Sequence, residues 1–215
     1  MSKKRDKKKT KQKEVFSFKS EYLRCYSFLK DARNYLYFVI LIFFIFVVIG
    51  FFYQDLVNLF FKNVLGQNLN EQILSYLKNL LIETEGMSNK ELIGFIFLNN
   101  LQSSFLGVVF GIIFGIFPLI TAIINGYVLG FVAILSVKEQ GFTILWRILP
   151  HGIFELPAIF ISMALGIKLG TYLFTAKESF KNLLINSLRV FLLVIFPLLL
   201  IAAIIEGTLI VLGGG

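Results

Sequence analysis

The sequence predicts an all-α fold, a polytopic membrane helix bundle of about five transmembrane helices with amphipathic interfacial helices. Of the 215 residues, 57% are hydrophobic, well above the roughly 45–50% of ordinary soluble domains. Several apolar stretches also reach the length of about 20 residues that a helix needs to cross the hydrocarbon core. With a mean hydropathy of +0.79, the chain is not expected to stay soluble alone. We expect one membrane domain over residues 35–210.

Positive charge is concentrated near the N-terminus. The net charge is +8, and 12 of the 21 Lys and Arg residues precede residue 35. Residues 1–15 have the composition of a disordered basic tail. Because basic segments stay in the cytoplasm during insertion, we expect a multi-pass protein of the cell membrane with a cytoplasmic N-terminus and an extracytoplasmic C-terminus. The tail suits anionic lipid, and nucleic acid is not expected because no stacking aromatic residues interrupt it.

Three patterns follow the tail. Residues 16–34 alternate apolar and basic side chains at helical spacing, which predicts a cytoplasmic interfacial helix. The first span is predicted at Tyr35–Tyr53, because tyrosines, which prefer membrane interfaces, stand at both ends. Residues 54–90 carry too many charges for hydrocarbon but keep leucines at helical spacing, which predicts an extramembrane amphipathic segment.

The remaining spans are predicted from runs without charge. Leu92–Val137 is a stretch of 46 uncharged residues, enough for two spans and a turn near Gly115–Pro118, where Gly and Pro end helices. The fourth span is predicted at Trp146–Tyr172 and the fifth at Leu188–Ile205. Residues 211–215 are predicted to form a flexible tail.

Three of the predicted spans carry small residues at every fourth position. Such rows let neighbouring helix backbones approach closely in membranes. With 3.6 residues per turn, each row drifts by about 40° per step and therefore spirals along its helix. The same faces would also suit a homo-oligomer. The predicted packing residues are Gly107, Gly111, Gly115, Gly126, Gly130, Ser162, Gly166 and Gly170.

An ionisable pair lies inside the predicted fourth span. It consists of His151, the one histidine of the chain, and Glu155, one helical turn later. A charged group in hydrocarbon is costly, so it should face a partner or a water-filled cavity. Distances along the helices place Asn99 and Glu206 in the same half of the membrane, with Asn125 nearer the midplane, which predicts a buried polar cluster. The alternative is a structural role in hydrogen bonds between helices.

No motif in the sequence specifies a reaction. The single cysteine, Cys25, excludes an intrachain disulfide and a multi-thiolate metal site, and one histidine is few for a catalytic zinc site. The sequence has no P-loop, no dinucleotide-binding fingerprint and no nucleophile elbow. We therefore expect no catalytic residues, no metal and no cofactor, and we favour a non-enzymatic role.

Four segments between residues 91 and 206 carry a family resemblance. They are Asn99-Asn100, Asn125–Gly130, Pro150–Ala158 and Ala202–Glu206, of which the third is the most specific. With these segments the chain resembles the stage II sporulation protein M family of integral membrane proteins. The resemblance implies a scaffold that, in spore-forming bacteria, acts with two peptidoglycan-degrading partners during engulfment. The basic tail lies outside the resemblance, and the proline expected after Glu206 is missing.

Three functions remain open from the sequence. The first is a membrane scaffold or assembly factor, whose membrane or envelope protein partners would dock on residues 54–90 or in lipid-facing grooves. The second is a transporter or channel for an ion or small solute that uses the polar cluster, which a continuous polar lane across the bundle would favour. The third is an intramembrane hydrolase with Glu155 as general base.

Overall fold

The computed structural model describes residues 17–175 and 179–212, apart from the side chains at 146–151, 173, 175, 211 and 212. The regular elements of this part are all helical, which confirms the predicted fold class. The predicted disordered tail and residues 213–215 lie outside the described residues. In chain order the helices are α1 (Phe18–Asp31), α2 (Arg33–Phe52), α3 (Gln54–Leu65), α4 (Leu69–Thr84), α5 (Asn89–Phe110), α6 (Ile116–Gln140), α7 (Leu145–Gly170), α8 (Tyr172–Thr175), α9 (Phe180–Val190) and α10 (Phe196–Leu212). A 3₁₀ turn (Phe142–Ile144) precedes α7 and a π turn (Phe191–Ile195) joins α9 to α10.

Five helical stretches in the described part are long and apolar enough to cross a membrane, as predicted. They are Arg33–Phe52, Asn89–Phe110, Ile116–Gln140, Gly152–Gly170 and Phe180–Ile210. The last is longer than the predicted span because α9, the π turn and α10 form one continuous helix of 31 residues. Such a helix is about 47 Å long, whereas the hydrocarbon core is about 30 Å thick. One end of it, largely α9, therefore extends beyond the hydrocarbon.

Helix α7 lies at the centre of the bundle. It packs against α2, α5, α6 and α10, and half of its apolar stretch is buried, against 17–33% in the other four spans. Because the spans alternate in direction, α1, the α5–α6 turn and α9 share one end of the bundle, which we call the α1 end. The α3 and α4 helices lie at the opposite end, the hairpin end.

Small residues bring the helices into backbone contact. A Cβ atom on Gly126 or Gly130 of α6 would overlap the backbone of Phe43 or Val47 in α2. Gly170 of α7 lies equally close to the backbone of the α5–α6 turn. All eight residues of the predicted packing rows are buried. The turn itself requires glycine, because Gly115 has a φ of 68° at the start of α6, a conformation that other residues adopt at a cost.

The α3–α4 hairpin folds back against the bundle. Gly66 ends α3 with a φ of 67°, and the Asn68 side chain caps α4 by accepting a hydrogen bond from the Glu71 amide at 3.2 Å. Ile73 of α4 is buried in a cluster with Tyr127 and Phe131 of α6. The hairpin is therefore anchored on α6, and it occupies the segment that the sequence predicts to be amphipathic.

Helix α1 is docked on the bundle by its apolar face. Its Cys25 and Phe28 side chains are 2% and 6% exposed, and they share a core cluster with Leu183 and Val190 of the last span. Of the apolar face that the spacing assigns to the membrane surface, Cys25 thus contacts protein, whereas Phe18, Tyr22 and Tyr26 are exposed. The interfacial position of α1 stays a prediction. The contact with the last span positions Arg24 of α1 next to α9.

Candidate functional site: a polar cavity at the α1 end

Two asparagines predicted to be buried are exposed. Asn99 on α5 and Asn125 on α6 both lie on open faces of the bundle, so the prediction of one buried polar cluster is wrong for these residues. On α5, Ser104 is buried instead of Ser103, and its backbone carbonyl accepts a hydrogen bond from the Ser162 hydroxyl of α7.

The drift of the every-fourth row on α5 explains the error for Asn99. Gly115, Gly111 and Gly107 lie in the interface with α7. Two further steps rotate the row by about 80°, which turns Ser103 and Asn99 out of that interface. The contact between α5 and α7 continues instead at Ser104, because the face that packs on α7 follows the 3.6-residue period of the helix and not the four-residue row.

The carboxyl groups of Glu155 and Glu206 are the predicted cluster members that do come together. Both side chains are half-buried, and they are close enough to interact electrostatically between α7 and α10. The side chain of His151 lies outside the described residues, so its part in the predicted cluster stays a prediction. Among the side chains that are described, no three His, Cys, Asp or Glu residues form a group that would hold a metal ion.

A larger polar site lies at the α1 end, where the sequence did not predict one. It is an open cavity of about 1110 Å³ between α1, the start of α2, the end of α7, α8 and α9. Cations, amides and phenols dominate its wall. The lining residues are Arg24, Ser27, Phe28, Asp31, Asn34, Tyr35, Lys168, Tyr172, Asn182, Leu183, Ile185, Asn186 and Arg189.

Helical spacing brings the polar residues of the cavity to one side. Glu21, Arg24 and Asp31 recur on α1 at intervals of three and seven residues, so they lie on the same side of the helix. Asn186 and Arg189 do the same on α9, where the Arg189 guanidinium donates a hydrogen bond to the Asn186 side chain. The sequence shows each of these faces but not that they meet.

An ion pair joins the first helix to the last span. The Arg189 Nε atom lies 2.5 Å from Glu21 Oε2, and the two side chains are 21% and 14% exposed. Arg24 also reaches Glu21, at 3.5 Å. Because the pair is largely withdrawn from water, it is screened less than a surface ion pair. The pair therefore fixes α1 against α9 at the edge of the cavity.

Two further contacts tie α7 to this end. The Lys168 ammonium lies 3.8 Å above the centre of the Phe28 ring, within the range of a cation–π interaction. The hydroxyl groups of Thr171 and Tyr35 form a 3.0 Å hydrogen bond between the end of α7 and the start of α2. The wall of the cavity is thus held by contacts between four different helices.

Cys25 lies beneath the same contact between α1 and α9. Burial raises the pKa of its thiol above the ordinary value, while the Arg189 guanidinium acts in the opposite direction. A buried thiol with a raised pKa is a poor nucleophile at neutral pH. Cys25 is therefore a packing residue, and the cavity offers positive charge and hydrogen-bond donors rather than a reactive group.

The comparisons with known proteins agree with the sequence resemblance. A model of the stage II sporulation protein M family matches residues 39–209. An uncharacterized protein of Methanocaldococcus jannaschii is 30% identical over 193 residues, which cover 82% of this chain and 81% of that protein. No solved structure matches the chain. The family match contains Lys168 and Arg189, whereas α1 precedes it.

Proposed function

This chain belongs to the stage II sporulation protein M family, and from that premise we propose that it is a non-enzymatic membrane scaffold. In this role it would hold other membrane or envelope proteins in place through side chains on its spans. The α1 end would face the cytoplasm, because positively charged segments are retained there. The hairpin end, with α3 and α4, would then face outward.

The observation that carries the proposal is the exposure of Asn99 and Asn125 inside spanning helices. At 1.5 Å per residue, Asn99 lies about 15 Å from the hairpin end of α5 and Asn125 about 22 Å from that of α6, both deep within their spans. Gln102 and Ser103 extend the exposed polar surface on α5. An amide in hydrocarbon costs free energy unless it is hydrogen-bonded.

A transmembrane helix of a partner protein fits this surface best. Asparagine and glutamine side chains hydrogen-bond across helix interfaces in membranes, at about 1 kcal/mol each. Partner helices would present polar groups to Asn99 on α5 and to Asn125 on α6 at these depths. The hairpin adds a second contact area, since Leu59 and Phe60 of α3 are 53% and 61% exposed.

Photo-crosslinking in native membranes tests this proposal. A photoreactive amino acid replaces Asn99, and a matched variant carries it at Phe105, which is 42% exposed on the same helix and lies roughly 120° away around the helix axis. We expect position 99 to crosslink one defined membrane protein and position 105 to crosslink mainly lipid. Lipid adducts alone at both positions would refute the partner helix, and crosslinked pairs of this chain would identify a homo-oligomer instead.

A second candidate function, solute transport, is favoured by Glu155 and Glu206. Two carboxyl groups that interact within spanning helices are the kind of intramembrane site that ion-coupled transporters use. The test is ion or proton flux into liposomes that contain the purified protein. Glu83→Gln is the matched control, because Glu83 is an exposed acid of α4. Flux that is lost in Glu155→Gln but kept in this control would favour transport over scaffolding. The absence of flux in the native protein would remove this candidate.

A further inference from the structure

We propose that the cavity at the α1 end binds a phosphate group, as carried by the headgroup of an anionic membrane phospholipid. The proposal goes beyond the scaffold function, because it concerns the opposite end of the bundle and a different ligand. It rests on the size of the cavity, the charges of its wall and its level in the membrane.

The size of the cavity suits a headgroup. At about 1110 Å³ it is slightly larger than the roughly 300–1,000 Å³ of small-molecule sites. A second cavity of about 250 Å³, lined by Lys30, Asp31, Arg33 and Asn34, shares Asp31 and Asn34 with the first. Both open at the same end of the bundle and share two wall residues, so the basic residues of the second cavity lie close to the first.

Counted over the residues that the structure describes, the wall of the cavity is positive even when its acids are included. Arg24, Lys168 and Arg189 come from three different helices, against Asp31 within the wall and Glu21 beside it, which pairs with Arg189. The adjoining cavity adds Lys30 and Arg33. Guanidinium groups bind phosphate through two parallel hydrogen bonds, and an ammonium group adds a point charge.

Neutral donors complete the site. The amides of Asn182 and Asn186 and the phenols of Tyr35 and Tyr172 line the same cavity. Amide and phenol groups can donate hydrogen bonds to phosphate or glycerol oxygens. A wall with charged and neutral donors from five helices favours an oxyanion over a cation or an apolar ligand.

The position of the cavity along the spans favours a lipid as the source of the phosphate group. Tyr35 is near the start of α2 and Lys168 near the end of α7, where these spans meet the membrane surface. The last span is too long for the hydrocarbon core, so Asn182 and Asn186 in α9 reach the headgroup region. Tyrosines concentrate at this level of the membrane. A phospholipid phosphate therefore lies at the height of the cavity, whereas a soluble anion would have to enter from water.

Native mass spectrometry of the full-length protein in detergent tests the proposal. Phosphatidylglycerol, phosphatidylcholine and inorganic phosphate are titrated separately. The cavity variants are Arg24→Gln and Lys168→Gln, and their matched controls are Lys19→Gln on α1 and Lys181→Gln on α9, two exposed residues outside the cavity. Thermal melting checks that every variant is folded, and Arg24→Lys keeps the charge if Arg24→Gln melts early.

We expect phosphatidylglycerol to bind most tightly and the cavity variants to lose roughly tenfold or more in affinity, because each removes a charge-assisted hydrogen bond. The controls should bind as the native protein does. Binding of inorganic phosphate with the same dependence on variants, without binding of phosphatidylglycerol, would assign the phosphate site to a soluble ligand and overturn the lipid source. Equal binding of phosphatidylglycerol by cavity variants and controls would overturn the site itself.

Discussion

Gly111, the C-cap residue of α5, lies so close to Gly166 of α7 that a Cβ atom on Gly111 would overlap the Gly166 backbone. Gly166 in turn lies against the carbonyl oxygen of Gly107. In a membrane, where lipid tails compete with apolar side chains, such close packing is a main source of helix association. The contact between α5 and α7 therefore depends on the absence of side chains at these positions.

Gly111→Ala should destabilise the bundle. The added methyl group can be accommodated only if the backbones of α5 and α7 move apart, and overpacking of this kind costs about 1–3 kcal/mol. Thermal unfolding in detergent measures the effect. Gly94→Ala on the same helix is the matched control, because nothing lies within 4 Å of its added Cβ. A native melting temperature for Gly111→Ala would contradict the packing of these helices.

The spans and their packing faces could be predicted from the sequence because a bilayer imposes length, apolarity and small residues on helices that cross it. The rotation of α5 about its axis could not, because tertiary packing decides which part of the drifting row faces α7. Asn99 consequently lies outside the interface. The cavity at the α1 end could also not be predicted from the sequence. Glu21 and Arg189 are far apart in the chain, and no local pattern shows that α1 and α9 meet.

Arg189→Gln should loosen α1 and accelerate alkylation of Cys25, the only thiol of the chain. Loss of the ion pair with Glu21 lowers the free energy needed to open α1, and about 1.4 kcal/mol corresponds to about tenfold in rate. Removing the Arg189 charge would by itself slow the reaction, because that charge favours the thiolate. A faster rate therefore reports opening. The control is Lys181→Gln on the same helix, and equal rates would contradict the role of the ion pair.

The pH dependence of Cys25 reports its burial. Because burial raises its pKa above the ordinary value of 9.0, the folded protein keeps the thiol proton at a pH where the unfolded chain releases it. The resulting stabilisation is complete below pH 9 and is lost as the pH rises through the folded-state pKa. Alkylation of the folded protein should accordingly reach half its maximal rate above pH 9. A midpoint at or below that of the urea-unfolded chain would contradict the buried position.

Ile73→Ala should release the α3–α4 hairpin from the bundle. The Ile73 side chain is 8% exposed and packs with Tyr127 and Phe131, so truncation leaves a cavity and costs about 2–5 kcal/mol. Brief trypsin digestion measures the release as faster cleavage after Lys78 in α4. Ile82→Ala, at a position that is 59% exposed, should be cleaved at the native rate. Identical digestion of both variants would show that the hairpin is not held by Ile73.

Co-purification from solubilised native membranes tests the scaffold proposal most directly, because it identifies the proteins that are bound to a tagged form of the chain. Quantitative mass spectrometry compares the native protein with Asn99→Leu/Asn125→Leu, and with Phe105→Leu as control. Both substituted asparagines are exposed, so the variant should fold normally, within about 0.5 kcal/mol per site. We predict that a specific membrane protein is lost from the asparagine variant and kept in the control. An unchanged set of proteins in the asparagine variant would contradict the scaffold.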